Sequence, residues 1–389
     1  MYSVSETITA AAVPALQALI LLQGKFKAMN DSIPRSPTAT DLKPVLEQAK
    51  AFHKQETWLH IPSDDLFAIE DPVTGERLYC SILGNLHEMY ALNVYPGETG
   101  LASFAAFLSM RQASLLAGHH YLAQQDLIQL EYTDRESLTA QEWKSIKETG
   151  VPFRGRRAWP QMIRYRPGYA PSALNTEDLR ILHFALEQAG EIARRVAEGT
   201  LDVRPEITED DITLFVRTPE KTQGGTLTWR DEWDTVPLLL PGEEYADEVF
   251  PYDELRLGRI KRAGYPRHNA PWEVHTGYLM LPMEPESDAE ECEIPYLPHI
   301  QAILEGENGF ALHMFVTSSH EARETLSDGF LDAIEKMETI PETVHVLTPE
   351  AEAAMNGICA ALEISVISGP SLPLVEKVIR GFMEEYVGY

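Results

Sequence analysis

The sequence predicts an α/β protein, mixed sheets with flanking helices, built as two lobes that each run β-β-β-α-β-α-β-α. Three observations carry this reading. Apolar runs of strand length alternate with longer stretches at helical spacing, the same order occurs twice, and a proline-flanked, β-rich segment separates the two occurrences. At 389 residues the chain exceeds one ordinary core, and 44% hydrophobic with 24% charged residues is the balance of a chain that buries large ones.

Residues 1–45 read as an N-terminal arm or helix and a linker. The apolar run Ala10–Leu22 has no basic segment before it, carries Lys25 and Lys27 on its far side, and is too short for a bilayer. A peripheral arm is therefore expected rather than a targeting signal, and no membrane association. The first domain, 46–200, is entered through the helical stretch DLKPVLEQAKAFHKQ, with Asp41 as its N-cap. Two strands flank the turn Asp71-Pro-Val-Thr-Gly75, and EMYALNVYPG supplies a third.

Leu101–Gly118 has the spacing of one helix, ending at the pair His119-His120. Strand DLIQLEYTD follows, then a helix from a Thr139 cap to a Gly150 stop, then strand AWPQMIRYRP. The lobe closes on a long amphipathic helix with Asn175 or Thr176 as cap. Residues 201–270 form a β-rich acidic connector, with a hairpin around Gly224-Gly225 and the loop PGEEYADEVFPYDE.

The second domain, 271–389, repeats the order: WEVHTGYLMLP, PHIQAILEG and FALHMFVTS as strands, then helices alternating with TVHVLTP and ISVISGP. A three-strand meander followed by alternating helices and strands is the order of the ribonuclease H-like superfold. Other α/β sandwiches with an antiparallel edge give the same string.

Sixty acidic against 32 basic side chains leave a formal charge of -28, so the long-range field repels nucleic acid and anionic lipid, and neither is expected as a partner. Cys80, Cys292 and Cys359 are odd in number, far apart and outside any CxxC pair. That points to reduced thiols in a cytoplasm and away from structural zinc. No phosphate-binding loop, dinucleotide fingerprint, nucleophile elbow, zincin helix or EF-hand loop is present in the sequence, and no cofactor is expected.

A metal-dependent phosphoryl-transfer or nuclease-like lobe would need carboxylates converging from the first strand, first helix, fourth strand and last helix. The first half offers Asp71 and Asp134, but the helix between them has no acid, and Asp71 is also ordinary turn chemistry. The second half offers only Glu273 on its first strand. His87, His275, His313 and His345 read as core or edge residues. Trp229 and Trp233, in WRDEWD, are the aromatic pair that could form an exposed surface for a protein partner.

Five arginines, Arg154, Arg156, Arg157, Arg164 and Arg166, crowd into VPFRGRRAWPQMIRYRPGY. They make either an anion site, with guanidinium forks beside aromatic faces, or a clasp onto the protein's own carboxylates, such as EEYADEVFPYDE, that pins the two halves together. In so acidic a chain the clasp is the preferred reading, because partners are everywhere.

Three phrases, DPVTGERLYCSILGNLHEMYALNVYPGETGL, EYTDRESLTAQEWKSIKETGVPFRGRRAWPQMIRYRPGYAP and WEVHTGYLMLP…PYLPHIQAILEGENGFAL, resemble a group of uncharacterised bacterial proteins, found largely in Firmicutes, that pair two domains of unknown function. The resemblance runs from about Trp58 onward and implies no activity or catalytic residues. Where such proteins tend to show an aromatic after the second proline of PGYAP, this chain has Ser172. The expectation is a non-enzymatic binding or regulatory protein. Its alternatives are the metal-dependent enzyme and a nucleotide or nucleic-acid binder through Arg154–Arg166.

Overall fold

The computed structural model describes residues 37–110, 114–208, 210–221, 227–239, 250–283, 294–306, 309–317 and 319–387. These divide into two units: the first takes residues within 1–111, 125–240 and 290–294, the second those within 112–124, 241–289 and 295–389. In the first, helix α1 (Ala39–Lys54) starts one turn earlier than its expected cap. Thr38 accepts from the Asp41 N–H and Asp41 returns a carboxylate to Thr38, so Asp41 closes a capping box instead of opening the helix.

Strands β1 (Phe67–Glu70), β2 (Arg77–Leu83), β3 (Ala91–Pro96), β4 (Leu127–Thr133) and β5 (Trp159–Tyr165) lie side by side in chain order, each antiparallel to the next. Helix α2 (Gly97–Ser109) follows β3. The single helix expected over Leu101–Gly118 is two, because Ser114 caps a new one, α3 (Leu115–Ala123), through the Ala117 N–H. His119 and His120 therefore lie inside α3 rather than at a helix end. Helix α4 (Ala140–Glu148) is capped by Thr139 with Glu142, and α5 (Thr176–Ala197) by Asn175 with Asp178. The apolar stripes of α1 and α5 bury Phe52, Leu182 and Leu186 against Leu78, Val94 and Ile128.

Half of the expected connector is part of this sheet. Strands β6 (Glu206–Ile207), β7 (Asp211–Lys221) and β8 (Leu227–Pro237) extend it, with β7 parallel to β1 (Phe67 opposite Phe215) and β8 antiparallel to β7. The four-residue β1 would otherwise leave an open edge, which β7 fills.

The second unit carries α6 (Glu254–Ala263), β9 (Arg267–His268), β10 (Trp272–Tyr278), β11 (His299–Glu305), β12 (Ala311–Thr317), α7 (Ser319–Met337), β13 (Ile340–Pro341), β14 (Thr343–Val346), α8 (Pro349–Leu362), β15 (Ser365–Ser368) and α9 (Pro373–Val387). Its main sheet runs β12-β11-β10-β14-β15, with β14 parallel to both β10 and β15, while β13 pairs with β9. Trp272, Val274 and Ile303 pack against α7 and α8 on one face. On the other, Ile300 and Leu304 pack with Leu116 of α3 and Val375 of α9, so α3 belongs here although it lies within the first half of the chain.

One element string has thus produced two topologies. In the second unit a single helix returns the chain so that β14 runs parallel beside β10. In the first unit two helices separate β3 from β4, which comes back antiparallel beside β3 while β7 takes the seat next to β1. That first-lobe order departs from the meander-plus-parallel-strand arrangement the sequence left open.

Glu273, the acid on the second lobe's first strand, has a structural partner. Its carboxylate accepts the Leu374 and Val375 N–H groups at 2.9 and 3.0 Å, capping α9 from outside, and burial holds its pKa above the ordinary value despite those bonds. Glu273→Ala is expected to cost about 1–2 kcal/mol, read in a urea melt of the full chain.

Candidate functional site

The register of the first sheet decides how the sequence-predicted residues relate. Phe67, Cys80, Val94, Ile128 and Arg164 form one row across β1 to β5. Asp71 lies four residues beyond that row in one direction and Asp134 six residues beyond it in the other, a separation of about 30 Å along the strands. The two carboxylates cannot share a metal, which corrects their pairing as candidate catalytic acids. Among the described residues no three His, Cys, Asp or Glu side chains are grouped as a metal ion would need.

Asp71 is instead the acceptor at the centre of its turn. It takes the Val73 N–H at 3.1 Å and the Thr74 hydroxyl at 2.9 Å, and both its oxygens face the Arg180 guanidinium of α5, at 3.0 and 2.5 Å. Burial pushes its pKa up, but the bonds from Arg180, Val73 and Thr74 outweigh this and leave it lowered.

The five arginines divide between the two ends of β5. At the Asp71 end, buried Arg164 lies 2.5 Å from Asp126 and 3.3 Å from Asp178, and Arg166 reaches Asp178 at 2.8 Å. The Arg164 contacts are ion pairs by distance but lack hydrogen-bond alignment at Nε and at the Asp126 oxygen; Arg164 donates an aligned bond to the Tyr165 carbonyl. These partners all lie in the first unit. The acidic loop PGEEYADEVFPYDE lies mostly outside the described residues.

At the Asp134 end, Arg157 adopts a left-handed φ of 48° in the loop before β5. Its N–H donates to Asp134 at 2.8 Å, its guanidinium to the His87 carbonyl, and its carbonyl lies 3.0 Å from His53 Nε2. Arg154 and Arg156 are exposed beside it. Of the five arginines, Arg154, Arg156 and Arg157 are exposed, Arg166 is half-buried and Arg164 is buried.

Trp229 and Trp233 share one face of β8 but not one role. Trp229 lies over Arg217, 5.2 Å from guanidinium to ring, and next to Phe184 of α5, whereas Trp233 is 47% exposed.

Sequence reasoning passed over two further features. A cleft of about 530 Å³ lies between β2, the first turns of α2 and the end of β8. Leu101, Ala102, Val236, Pro237 and Leu239 are its apolar lining; Glu76, Arg77, Tyr79 and Glu98 supply its polar groups. Arg77 is held 2.6 Å from Asp234. Gly97 starts α2 with φ 58°, and a Cβ there would stand 2.6 Å from a Glu76 oxygen, so only glycine lets that carboxylate lie over the helix start. Burial, then Asp126 and Asp71, raise the Glu76 pKa. The signal in the sequence was Pro96 at the N-cap, a residue whose side chain cannot satisfy the first-turn N–H groups.

The other feature is a nest of histidines in the second unit. His120 from α3, His275 from β10 and His299 from β11 are buried together. Tyr278 packs edge-on to His299 at 4.2 Å and lies 6.4 Å from His120, and Gln124 meets His120 Nε2 at 3.1 Å. Burial lowers the pKa of His120 to about 4 and, with His120, His299 and His119 close by, that of His275 to about 3.

Compared with known proteins, residues 43–217 match a domain of unknown function, DUF7309, and residues 256–383 match a second, DUF6930. No curated protein and no solved structure matches the chain. Two domains, each of unknown function, are thus present. No helix among the described residues is long and apolar enough to cross a membrane.

Proposed function

We propose that the chain is a non-enzymatic binding protein whose first domain takes a small organic cation into the cleft between β2, α2 and β8. The lining of that cleft carries the reading. Its volume, about 530 Å³, falls in the range of small-molecule sites, and its lining combines apolar side chains with a few polar ones. Asp234 neutralises Arg77, so the carboxylates Glu76 and Glu98 set the charge of the lining, while Leu101, Val236 and Pro237 offer contact to a hydrocarbon body. An ammonium or guanidinium group beside Glu76 pairs with a carboxylate whose pKa is raised by burial and then by the charges of Asp126 and Asp71. Binding therefore strengthens as pH rises through the carboxylate range, because the charged Glu76 is the competent form.

A thermal-shift titration of the full chain against organic amines and carboxylates of the same carbon skeleton tests this. The amines are expected to raise the melting temperature and the carboxylates to leave it unchanged, with Glu98→Gln weakening the amine shift about tenfold in concentration. Equal shifts from both series, or none from the amines, would defeat the reading. The buried Cys80 and Cys359, whose thiol pKa values burial raises, support a reducing compartment as its setting.

A further inference from the structure

Across the first unit arginines pair with the chain's own acids: Arg77 with Asp234, Arg164 with Asp126 and Asp178, Arg180 with Asp71, Arg194 with Glu191. The loop before β5 breaks that pattern. Among the described residues no carboxylate stands within ion-pair distance of Arg154, Arg156 or Arg157, although the chain holds 60 acids and all three side chains are exposed. Asp134, the acid that meets this loop, gives its oxygen to the Arg157 backbone N–H at 2.8 Å rather than to a guanidinium.

The loop is also held in place. The Arg157 guanidinium lies over the Tyr90 ring at 5.9 Å and donates to the His87 carbonyl, while the Arg157 carbonyl lies 3.0 Å from His53 Nε2. Tyr90 in turn rests against Trp58 at 4.6 Å, and its hydroxyl meets His87 Nδ1 at 3.1 Å. Of the five non-glycine residues with a left-handed φ among the described residues, three are Arg157 at 48°, His87 at 60° and Glu56, two residues before Trp58, at 49°. Such backbone persists only where its surroundings impose it, and it gathers at ligand clamps.

We infer that the Arg154–Arg157 loop, with Arg157 anchored on Tyr90, binds a phosphate group carried by a small molecule. Three guanidinium forks within four residues suit a tetrahedral oxyanion of more than one charge, which offers several bidentate edges; a single carboxylate occupies one fork. A small ligand is favoured over nucleic acid, because the field of a chain at -28 acts on every phosphate of a polymer, whereas a lone phosphate group meets the local patch. The loop lies at the Asp134 end of the first sheet, and Glu76 and Arg77 of the cleft lie at the Asp71 end. The two sites therefore stand or fall separately.

Calorimetric titration of the full chain with inorganic pyrophosphate at low salt tests it. A dissociation constant below about 1 mM is expected, at least tenfold tighter than for acetate and weakening as salt rises. The double variant Arg154→Gln, Arg156→Gln alters two exposed side chains and should weaken pyrophosphate at least tenfold. Arg194→Gln with Arg230→Gln, which removes the same charge elsewhere on the first unit, should leave the affinity within about twofold. Phenylglyoxal labelling of the unmodified chain, read by mass spectrometry, needs no variant: pyrophosphate should slow modification of Arg154 and Arg156 and leave Arg194 unchanged. No binding, equal affinity for acetate, an equal loss in the two double variants, or labelling that pyrophosphate does not slow would overturn the inference. A single-stranded oligonucleotide that binds more tightly per phosphate than pyrophosphate would overturn it too, in favour of nucleic acid.

Discussion

Replacing Arg164 with methionine is expected to destabilise the first unit by about 3–5 kcal/mol, the largest effect of any single substitution considered. Arg164 is 9% exposed and stands between the carboxylates of Asp126 and Asp178. Removing its charge leaves these acids partly or fully desolvated beside Glu76, with Arg166 alone in reach of Asp178. Losing one partner of a buried ion pair costs more than the pair itself is worth, because the surviving charge keeps its desolvation penalty. The triple variant Arg164→Met, Asp126→Asn, Asp178→Asn should therefore recover a large part of the loss. Urea unfolding of the full chain at pH 7 measures both. A single variant within about 0.5 kcal/mol of the parent would show that the cluster is solvated and the clasp unimportant.

Acidification should open the second unit well before ordinary acid denaturation. His120 and His275 titrate near 4 and 3 in the folded chain against an unfolded value near 6.5. A lowered histidine pKa means the unfolded chain binds the extra proton, so the stability is fully present above pH 6.5 and is lost as pH falls toward the folded values. At pH 5 each of the two contributes a loss of about 2 kcal/mol relative to pH 7. Amide exchange on β10 and β11 at the two pH values reads it directly. The double variant His120→Leu, His275→Leu should flatten the dependence, and protection of these strands that is equal at pH 7 and pH 5 in the parent chain would count against the nest being buried and neutral.

Local features were legible in the sequence for a physical reason. The Thr139 and Asn175 caps and the Gly150 stop depend on residues within one turn of each other, and they stand where the pattern placed them. The element order was readable too, apart from the one expected helix that is split into α2 and α3. What decides the sheets was not, because pairing is a long-range choice: nothing near β4 says whether it joins β3 or β1, and the partner that takes the edge of β1 lies beyond residue 210.

The candidate sites failed in the same way. Asp71 and Asp134 each sit at the end of a strand, and only the antiparallel register reveals that these are opposite ends of the sheet. The arginine stretch looked like one feature because it is continuous in sequence, yet a seven-residue strand runs through it and sends Arg157 and Arg164 to different surroundings. The histidine nest gathers residues from α3, β10 and β11 and has no local signature at all.

The central claim is that the cleft of the first domain is a binding site, and filling it tests that most directly. Leu101→Trp places an indole in the cleft from the first turns of α2 without removing a charge. Calorimetric titration of the parent and the variant with the same amine, well below the melting temperature of each, is expected to show at least a tenfold weaker dissociation constant in the variant, about 1.4 kcal/mol. Undiminished binding by a folded Leu101→Trp chain would place the ligand elsewhere and contradict the account.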